Sequence, residues 1–400
     1  MMRAISSERI RIYIVVHTAA SSQGTLVSTT PSPVLQSGLL IPTTGFQDRR
    51  NAIAARLVDA KLDGLLVTHL PNVRYLTGFT GSNALLLLSP SRSTLLTDPR
   101  YDIQSREETD CQVSICKKSI WKMIPSLLAR RRWKTIGIEA SHLTVDVSQT
   151  LQSALPLGAT LHPVPAWIET ARTVKSPSEI GLIRQSVRTC SAAFAQTLKS
   201  LRPGLREIEV AAELDYHMRR LGADGPAFET IVAAGVRSAL PHARPTSAIV
   251  QPDQLLLIDM GASQQGYASD MTRTVCAGKP APKVRRTYSA VLEAQLAAVA
   301  AVRPGATAGS VDRAARRILR AHGLDNAFVH STGHGLGLEI HEAPRLGRGD
   351  NTVLCEGMVV TVEPGVYIEG FGGIRIEDTV LVSGAGCEVL TPTNKELLAL

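Results

Sequence analysis

A carboxylate at the end of a buried strand must be compensated, and this chain carries several such residues. Leu255 to Ile258 reads as a short apolar strand that runs straight into Asp259. Eleven positions on, Asp270 opens Asp270-Met271-Thr272-Arg273-Thr274-Val275. Strand alternation puts Asp270, Thr272 and Thr274 on one face. Val359 to Val362 leads into Glu363, with Pro364 and Gly365 behind it. In Gly373 to Glu377, Arg375 and Glu377 share one face and both isoleucines share the other. His334 lies between Gly333 and Gly335, small neighbours that permit close backbone approach.

Burying an ionised carboxylate costs several kcal/mol unless it is paired or bound to metal. Each residue taken singly has an ordinary reading. Asp259 could cap a turn, and Asp270 could open one or pair with Arg273. Glu363 could be a turn residue, Glu377 a partner of Arg375, and His334 a satisfied loop histidine. Taken together, four carboxylates and one imidazole suit two divalent ions, whose charge would cancel the carboxylates. Such ions polarise a carbonyl and activate water for attack. Oxygen-rich ligation with a single imidazole favours manganese, with cobalt or zinc as the alternatives.

The 400 residues allow two domains. From residue 48 to about 165, helical spacing alternates with short apolar strands, which predicts an α/β unit. The spacing predicts a helix from Arg50 to Ala60, and strands at 65–67, 83–88, 94–97 and 135–138. The apolar run from Ile120 to Ala129 predicts a helix starting near Pro125. Ser176-Pro177-Ser178-Glu179 is a capping box and opens a second unit. That unit reads as α+β, with helices from 177, 207, 284 and 311 and strands at 229–233, 254–260, 269–276, 358–362 and 373–382. Residues 1–45, rich in Ser, Thr and Pro, read as a disordered extension or a stretch upstream of the true start.

The net charge of +8 invites a nucleic-acid reading. The densest basic run, Arg130 to Arg132 with Lys134, follows an apolar helix, where cations suit a C-terminus. The other basic residues are scattered, so a solvated surface is the reading and no nucleic-acid partner is expected. The six cysteines contain no CxxC pair, which fits reduced thiols in the cytoplasm. No apolar run approaches the ~18 residues of a membrane span.

The segments Leu257 to Gly261, Ser269 to Thr274, His330 to Gly337, Val362 to Gly365 and Gly373 to Asp378 closely resemble the pita-bread metallopeptidases. Methionine aminopeptidase, aminopeptidase P, prolidase and creatinase belong to that family. The resemblance implies that Asp259, Asp270, His334, Glu363 and Glu377 are the metal ligands, with Asp270 and Glu377 bridging. It implies catalytic roles for Glu363, His242 and His341. Glu363 would carry the proton from the attacking water to the leaving proline nitrogen. His242 would face the substrate, and His341, seven positions after His334, would stabilise the tetrahedral intermediate. His330 would line a proline pocket, and Arg375 would bind substrate while pairing with Glu377. Asp63 to Val67, Asn72 to Phe79 and Leu96 to Tyr101 resemble the creatinase-type N-terminal domain. Methionine aminopeptidases lack that domain.

The expected architecture is an α/β creatinase-like N-terminal domain over 46–167, then an α+β pita-bread catalytic domain over 168–400. The expected activity is hydrolysis of the Xaa-Pro bond in dipeptides or at the N-terminus of peptides, by a cytoplasmic homodimer or higher homo-oligomer. Its partners would be short proline-containing peptides, with no membrane. The alternatives are a creatinase-like C–N hydrolase or a non-catalytic binding protein on the same fold.

Overall fold

The computed structural model describes residues 44–400, so the extension expected over 1–45 lies outside the described residues apart from its last two. The first helix, α1 (Thr44–Asp59), starts well before Arg50. Phe46 is buried, with its ring against Gly78, and that contact extends the helix beyond its regular apolar spacing.

Six strands form one sheet: β1 (Gly64–Val67), β2 (Ala84–Leu88), β3 (Ser93–Thr97), β4 (Gln112–Ile115), β5 (Thr135–Glu139) and β6 (Thr160–Val164). Their order is β4-β3-β2-β1-β5-β6, with β1 antiparallel to β2 and parallel to β5. The central strands are apolar at successive positions because both faces are covered. Leu65, Val67, Leu86 and Leu88 pack with Ile53 and Leu57 of α1 and with Val73 and Leu76 of α2 (Leu70–Thr77). Leu66, Leu85, Leu87, Ile136 and Ile138 pack on the other face. Helix α3 (Asp102–Glu108) links β3 to β4.

On that second face lie α4 (Ile120–Arg131) and α5 (Val145–Ala154). Helix α4 starts at Ile120, five residues before the expected Pro125, which lies inside it. Ile120, Ile124 and Leu128 form a buried stripe at helical spacing. Burial of that stripe offsets the hydrogen bond that the proline cannot make. The basic run closes the helix as expected: Arg132 takes the left-handed C-cap and Arg131 lies over Trp133.

After the short α6 (Trp167–Arg172) comes α7 (Pro177–Thr197), whose start is the expected capping box. Ser176 N–H and Oγ both donate to Glu179 Oε2, at 2.9 Å each. Glu179 also pairs with Arg49 of α1 at 3.0 Å and accepts from Tyr267 Oη at 3.0 Å. One carboxylate thus ties the first helix, the cap and a distant strand together. Helices α8 (Glu207–Arg220), α9 (Pro282–Ala301) and α10 (Ala308–Ala321) complete the α layer.

Two antiparallel sheets carry the strands that were expected to end in carboxylates. Leu255–Met260 is central in one, between Ile231–Ala234 and Met271–Cys276. Leu256, Ile258 and Met260 pack with α7 and α8, so Leu257 and Asp259 face the opposite way. In the other sheet, Val359–Val362 pairs with Asp378–Ser383 and with Gly333–Gly335. Val360 and Val362 face α9 and α10, which turns Thr361 and Glu363 away from them. The single strand expected over 373–382 is two. Gly372–Arg375 pairs with Gly365–Ile368, and Asp378–Ser383 pairs with Val359–Val362. At the changeover the Glu377 amide donates to the Thr272 carbonyl at 3.2 Å.

Among the described residues no helix is long and apolar enough to cross a membrane, and none of the six cysteines is paired.

Glu179→Ala should destabilise the fold by about 3 kcal/mol, since it strips a cap and removes the buried carboxylate that holds the half-buried Arg49 and Tyr267. Ser176→Ala should cost only about 1 kcal/mol. Chemical denaturation of both variants checks the ordering, and equal losses would refute the role given to Glu179.

Candidate metal centre

Strand ends from both sheets converge on one point. Asp270, His334 and Glu377 each offer a ligand atom within 4.8 Å of the others'. Glu363 Oε1 is 3.5 Å from His334 Nε2, and Asp270 Oδ2 is 3.6 Å from it. Asp259 joins through Arg375, whose Nη2 donates to its Oδ2 at 2.7 Å. The structure therefore brings four of the five expected ligands into direct neighbourhood, with Asp259 beside them through Arg375.

Glycines make room for the imidazole. A Cβ on Gly333 would lie 2.0 Å from the Thr361 carbonyl oxygen, and one on Gly335 would lie 2.2 Å from that of Ala343. His334 can therefore sit on a backbone pressed against its neighbours. Its Nδ1 lies 2.9 Å from the Gly335 carbonyl oxygen, which can only accept, so Nδ1 carries the proton. Nε2 then presents a bare lone pair to two carboxylates at distances too long for hydrogen bonds. Burial pushes the imidazole down to about 4, so it stays neutral.

Lone pair against carboxylate is repulsive unless a cation lies between them. The carboxylates report the same deficit. Burial, then the charges of Glu377, Asp259 and Glu363, drives the Asp270 carboxyl well above its usual range. Glu377 is raised well above its ordinary value by burial and by Glu363 and Asp259. Burial is also the main cause for Glu363, pushed up to about 7. Two oxygens, Asp259 Oδ1 and Glu377 Oε1, are buried without a hydrogen-bond partner. Unsatisfied acceptors of this kind suit a metal ion.

Arg375 was expected to pair with Glu377, but it pairs with Asp259. Thr272 intervenes: its Oγ1 accepts from Arg375 Nε at 3.0 Å and donates to Glu377 Oε2 at 2.7 Å. Asp270 does not pair with Arg273, which binds Asp378 at 2.8 Å.

Tyr367 was missed at the sequence level. Arg375 Nη1 donates to its hydroxyl at 2.6 Å, and that hydroxyl lies 2.9 Å from His330 Nε2. His330 Nδ1 meets the Ser331 carbonyl at 2.7 Å, so Nδ1 donates and Nε2 accepts from Tyr367. Burial holds this ring down to about 4 as well. Both of its nitrogens are engaged by the protein, so only its ring surface is open to a ligand. The signal in the sequence was slight: Tyr367 follows buried Val366 and so must face the other side of its strand.

Below His330, Asp312 of α10 accepts from Arg316 Nε at 2.8 Å and from Thr332 Oγ1 at 2.9 Å. Arg316 also donates to the carbonyls of Phe328 and His330, and the Thr332 carbonyl accepts the Glu363 amide at 2.7 Å. His341 and His242 are exposed on the rim. The His341 ring meets that of His334 edge-on at 4.4 Å. Burial first, and then the neighbouring charge of His242, lowers the His341 pKa. The Pro241 carbonyl next to His242 accepts from Arg375 Nη1 at 3.2 Å.

Residues 181–384 match the model of metallopeptidase family M24, and residues 49–174 match that of the creatinase/prolidase N-terminal domain. The chain belongs to metallopeptidase family M24. It is 38% identical to a Xaa-Pro dipeptidase of Pyrococcus horikoshii over 84% of this chain and 95% of that relative. The solved Xaa-Pro dipeptidase from Bacillus anthracis is 37% identical with a TM-score of 0.86, covering 89% of this chain and all of that one (100%). An X-Pro aminopeptidase structure from Thermotoga maritima is 35% identical with a TM-score of 0.82, over 88% and 99% of the two chains. The architecture is thus a creatinase-type N-terminal domain followed by a pita-bread catalytic domain. Membership of M24 implies a hydrolase that uses divalent metal ions, and the cluster of Asp270, His334 and Glu377 is a candidate site for them.

The raised carboxyl pKa values predict how the metal-free protein responds to pH. A carboxyl that holds its proton more tightly when folded stabilises the fold below the unfolded value and loses that contribution as pH rises through the folded one. For Glu363 that window runs from 4.5 to about 7. The melting temperature of chelator-stripped protein should therefore fall across this range, and added divalent metal should restore it. A metal-free melting temperature that rises from pH 5 to 7 would overturn the electrostatic account.

Proposed function

We propose that this chain is an Xaa-Pro peptidase, hydrolysing the bond before proline in dipeptides or at the N-terminus of peptides. Two divalent ions would be held by Asp259, Asp270, His334, Glu363 and Glu377. The observation that carries this reading is the bare Nε2 of His334 facing the carboxylates of Asp270, Glu363 and Glu377, in a site where Glu377 Oε1 and the nearby Asp259 Oδ1 are buried without hydrogen-bond partners. The names of the relatives support the substrate class and include both dipeptidase and aminopeptidase.

Bound divalent cations supply Lewis acidity that polarises the scissile carbonyl and activates water. Glu363 is the proton carrier. Its side chain keeps 17% of its exposure, more than the 7% of Asp270 or the 13% of Asp259, so it can meet water and a departing nitrogen. It takes a proton from the attacking water and delivers it to the proline nitrogen as the bond breaks. His341 and His242 hydrogen-bond the substrate from the rim, and His341 stabilises the oxyanion as it develops. His330, with both nitrogens engaged, offers its ring to the flat side of a proline. Arg375 acts on the substrate through what it holds: Asp259, Tyr367 and the loop of His242. Manganese fits the oxygen-rich donor set. A cytoplasmic location fits the unpaired thiols. A homodimeric or higher homo-oligomeric state completes the reading.

Release of free alanine from Ala-Pro and Ala-Pro-Ala, with manganese and then with chelator, tests the proposal. Cleavage of at least one, abolished by chelator, is expected. Cleavage of the dipeptide alone identifies a dipeptidase, and cleavage of both an aminopeptidase. Cleavage of neither by metal-loaded protein would overturn the substrate class. Glu363→Gln should lower kcat about 10²- to 10⁴-fold with metal content verified. Full activity in that variant would remove Glu363 from the mechanism.

A further inference from the structure

His341 poses a problem of positioning. It is exposed, and among the described residues its ring contacts His334 edge-on without a hydrogen bond from its own nitrogens. A side chain held so lightly points wherever its backbone points it. Its backbone lies between two carboxylates, Glu339 two residues before and Glu342 one residue after.

Both carboxylates are held by cations from outside the catalytic strands. Arg172, the last residue of α6, is 2% exposed. Its Nη2 reaches Glu339 Oε2 at 2.7 Å and Glu342 Oε1 at 2.5 Å. His69, just before α2, takes the other oxygen of Glu339 at 2.9 Å. Lys175 takes the other oxygen of Glu342 at 3.0 Å. The Glu339 amide also donates to Glu342 Oε1 at 3.2 Å, so the segment closes on itself around the arginine.

Arg172 is itself aimed. Its Nη1 donates to Asn72 Oδ1 at 2.8 Å. Asn72 is oriented by donating its amide to Glu139 at 2.7 Å and Glu169 at 2.6 Å. Glu139 in turn accepts from the amides of Thr68 and His69. A chain of charge-assisted bonds therefore runs from the end of β5, through α2, into the loop that bears His341.

We infer that Arg172 is a positioning residue for His341, through which the N-terminal domain sets the geometry of the catalytic rim. The inference rests on the role of His341 in the proposed function. It differs from a general structural role because its effect must pass through one side chain. A shift of about 1 Å in a group that meets the transition state can cost about a hundredfold in rate without loss of metal or fold. A planar fork that grips two carboxylates is also not replaceable by a point charge.

The test is a double-mutant cycle on the metal-loaded full-length enzyme, using whichever of Ala-Pro and Ala-Pro-Ala it cleaves faster. Arg172→Met should lower kcat roughly ten- to a hundredfold, with KM changed less than about threefold and metal content unchanged. Arg172→Lys should recover only part of the loss. In a His341→Ala background, Arg172→Met should cost little more, because the residue it positions is gone. Losses that multiply in the double variant would overturn the positioning role while leaving that of His341 intact. No loss in His341→Ala alone would overturn the role of His341 itself, and this inference with it. If Arg172→Met does not fold, Glu339→Gln, at a side chain 34% exposed, carries the same cycle with the same outcomes.

Discussion

Four carboxylates within reach of one another in a dry site repel. At an effective dielectric constant of ~20, two unit charges ~4 Å apart differ from isolation by about 4 kcal/mol. Among the described residues Arg375 is the one arginine or lysine that ion-pairs with any of the four, and it pairs with Asp259. The imidazole of His334 adds no positive charge, since burial keeps it neutral. The rest of the catalytic half has to hold this deficit in place until cations cancel it. The local devices follow from that need. Thr272 donates to Glu377, Thr361 lies under Glu363 at 3.4 Å, and glycines on either side let His334 approach. None of these adds charge; each removes freedom from a group that would otherwise turn away.

Two sheets are needed because no single strand could present this set. Alternation gives one inward side chain in two, so adjacent inward positions on a strand are ~7 Å apart. Asp259 and Asp270 come from neighbouring antiparallel strands of one sheet, and Glu363 and Glu377 from neighbouring segments of the other. The join between the sheets is the bond from the Glu377 amide to the Thr272 carbonyl. It falls where the expected single strand changes partner, so the interruption at Ile376 and Glu377 is where the site is assembled.

The residues that converge at the candidate site were legible because each signal is local: an apolar run ending in an acid, or a histidine between glycines. The capping box at Ser176 and the four long helices of the second half were legible for the same reason. What the sequence hid depends on partners far away in the chain. Arg375 was assigned to Glu377, two residues off, whereas it reaches Asp259 at a separation of 116 positions. Tyr367 carries no motif, and its importance comes from two bonds to groups on other segments. The early start of α1 and of α4 escaped because Phe46 and the Ile120 stripe are stabilised by tertiary burial, which no capping pattern announces. Arg172 lies in a stretch that reads as a boundary, and its partners at Glu339 and Glu342 are 167 and 170 positions away.

The rim histidines divide by what their nitrogens are free to do. His330 has given both nitrogens to the protein, so it can contribute shape and an apolar edge but no proton. That suits recognition of a ring that lacks an N–H once its amide is formed, as in a peptide before proline. His341 has given neither, so it can donate to an oxygen that gains charge during reaction. A free nitrogen is useful only if it points the right way, and an exposed side chain loses orientation unless its backbone is constrained. The ion pairs around Glu339 and Glu342 constrain that backbone from the N-terminal domain. Burial makes them effective: Arg172 is desolvated, so its attraction to both carboxylates is screened far less than a surface pair. Removing the arginine would leave Glu339 to His69 and Glu342 to Lys175, with nothing joining the two carboxylates, and would loosen the segment that bears His341, the side chain whose direction the proposed mechanism depends on.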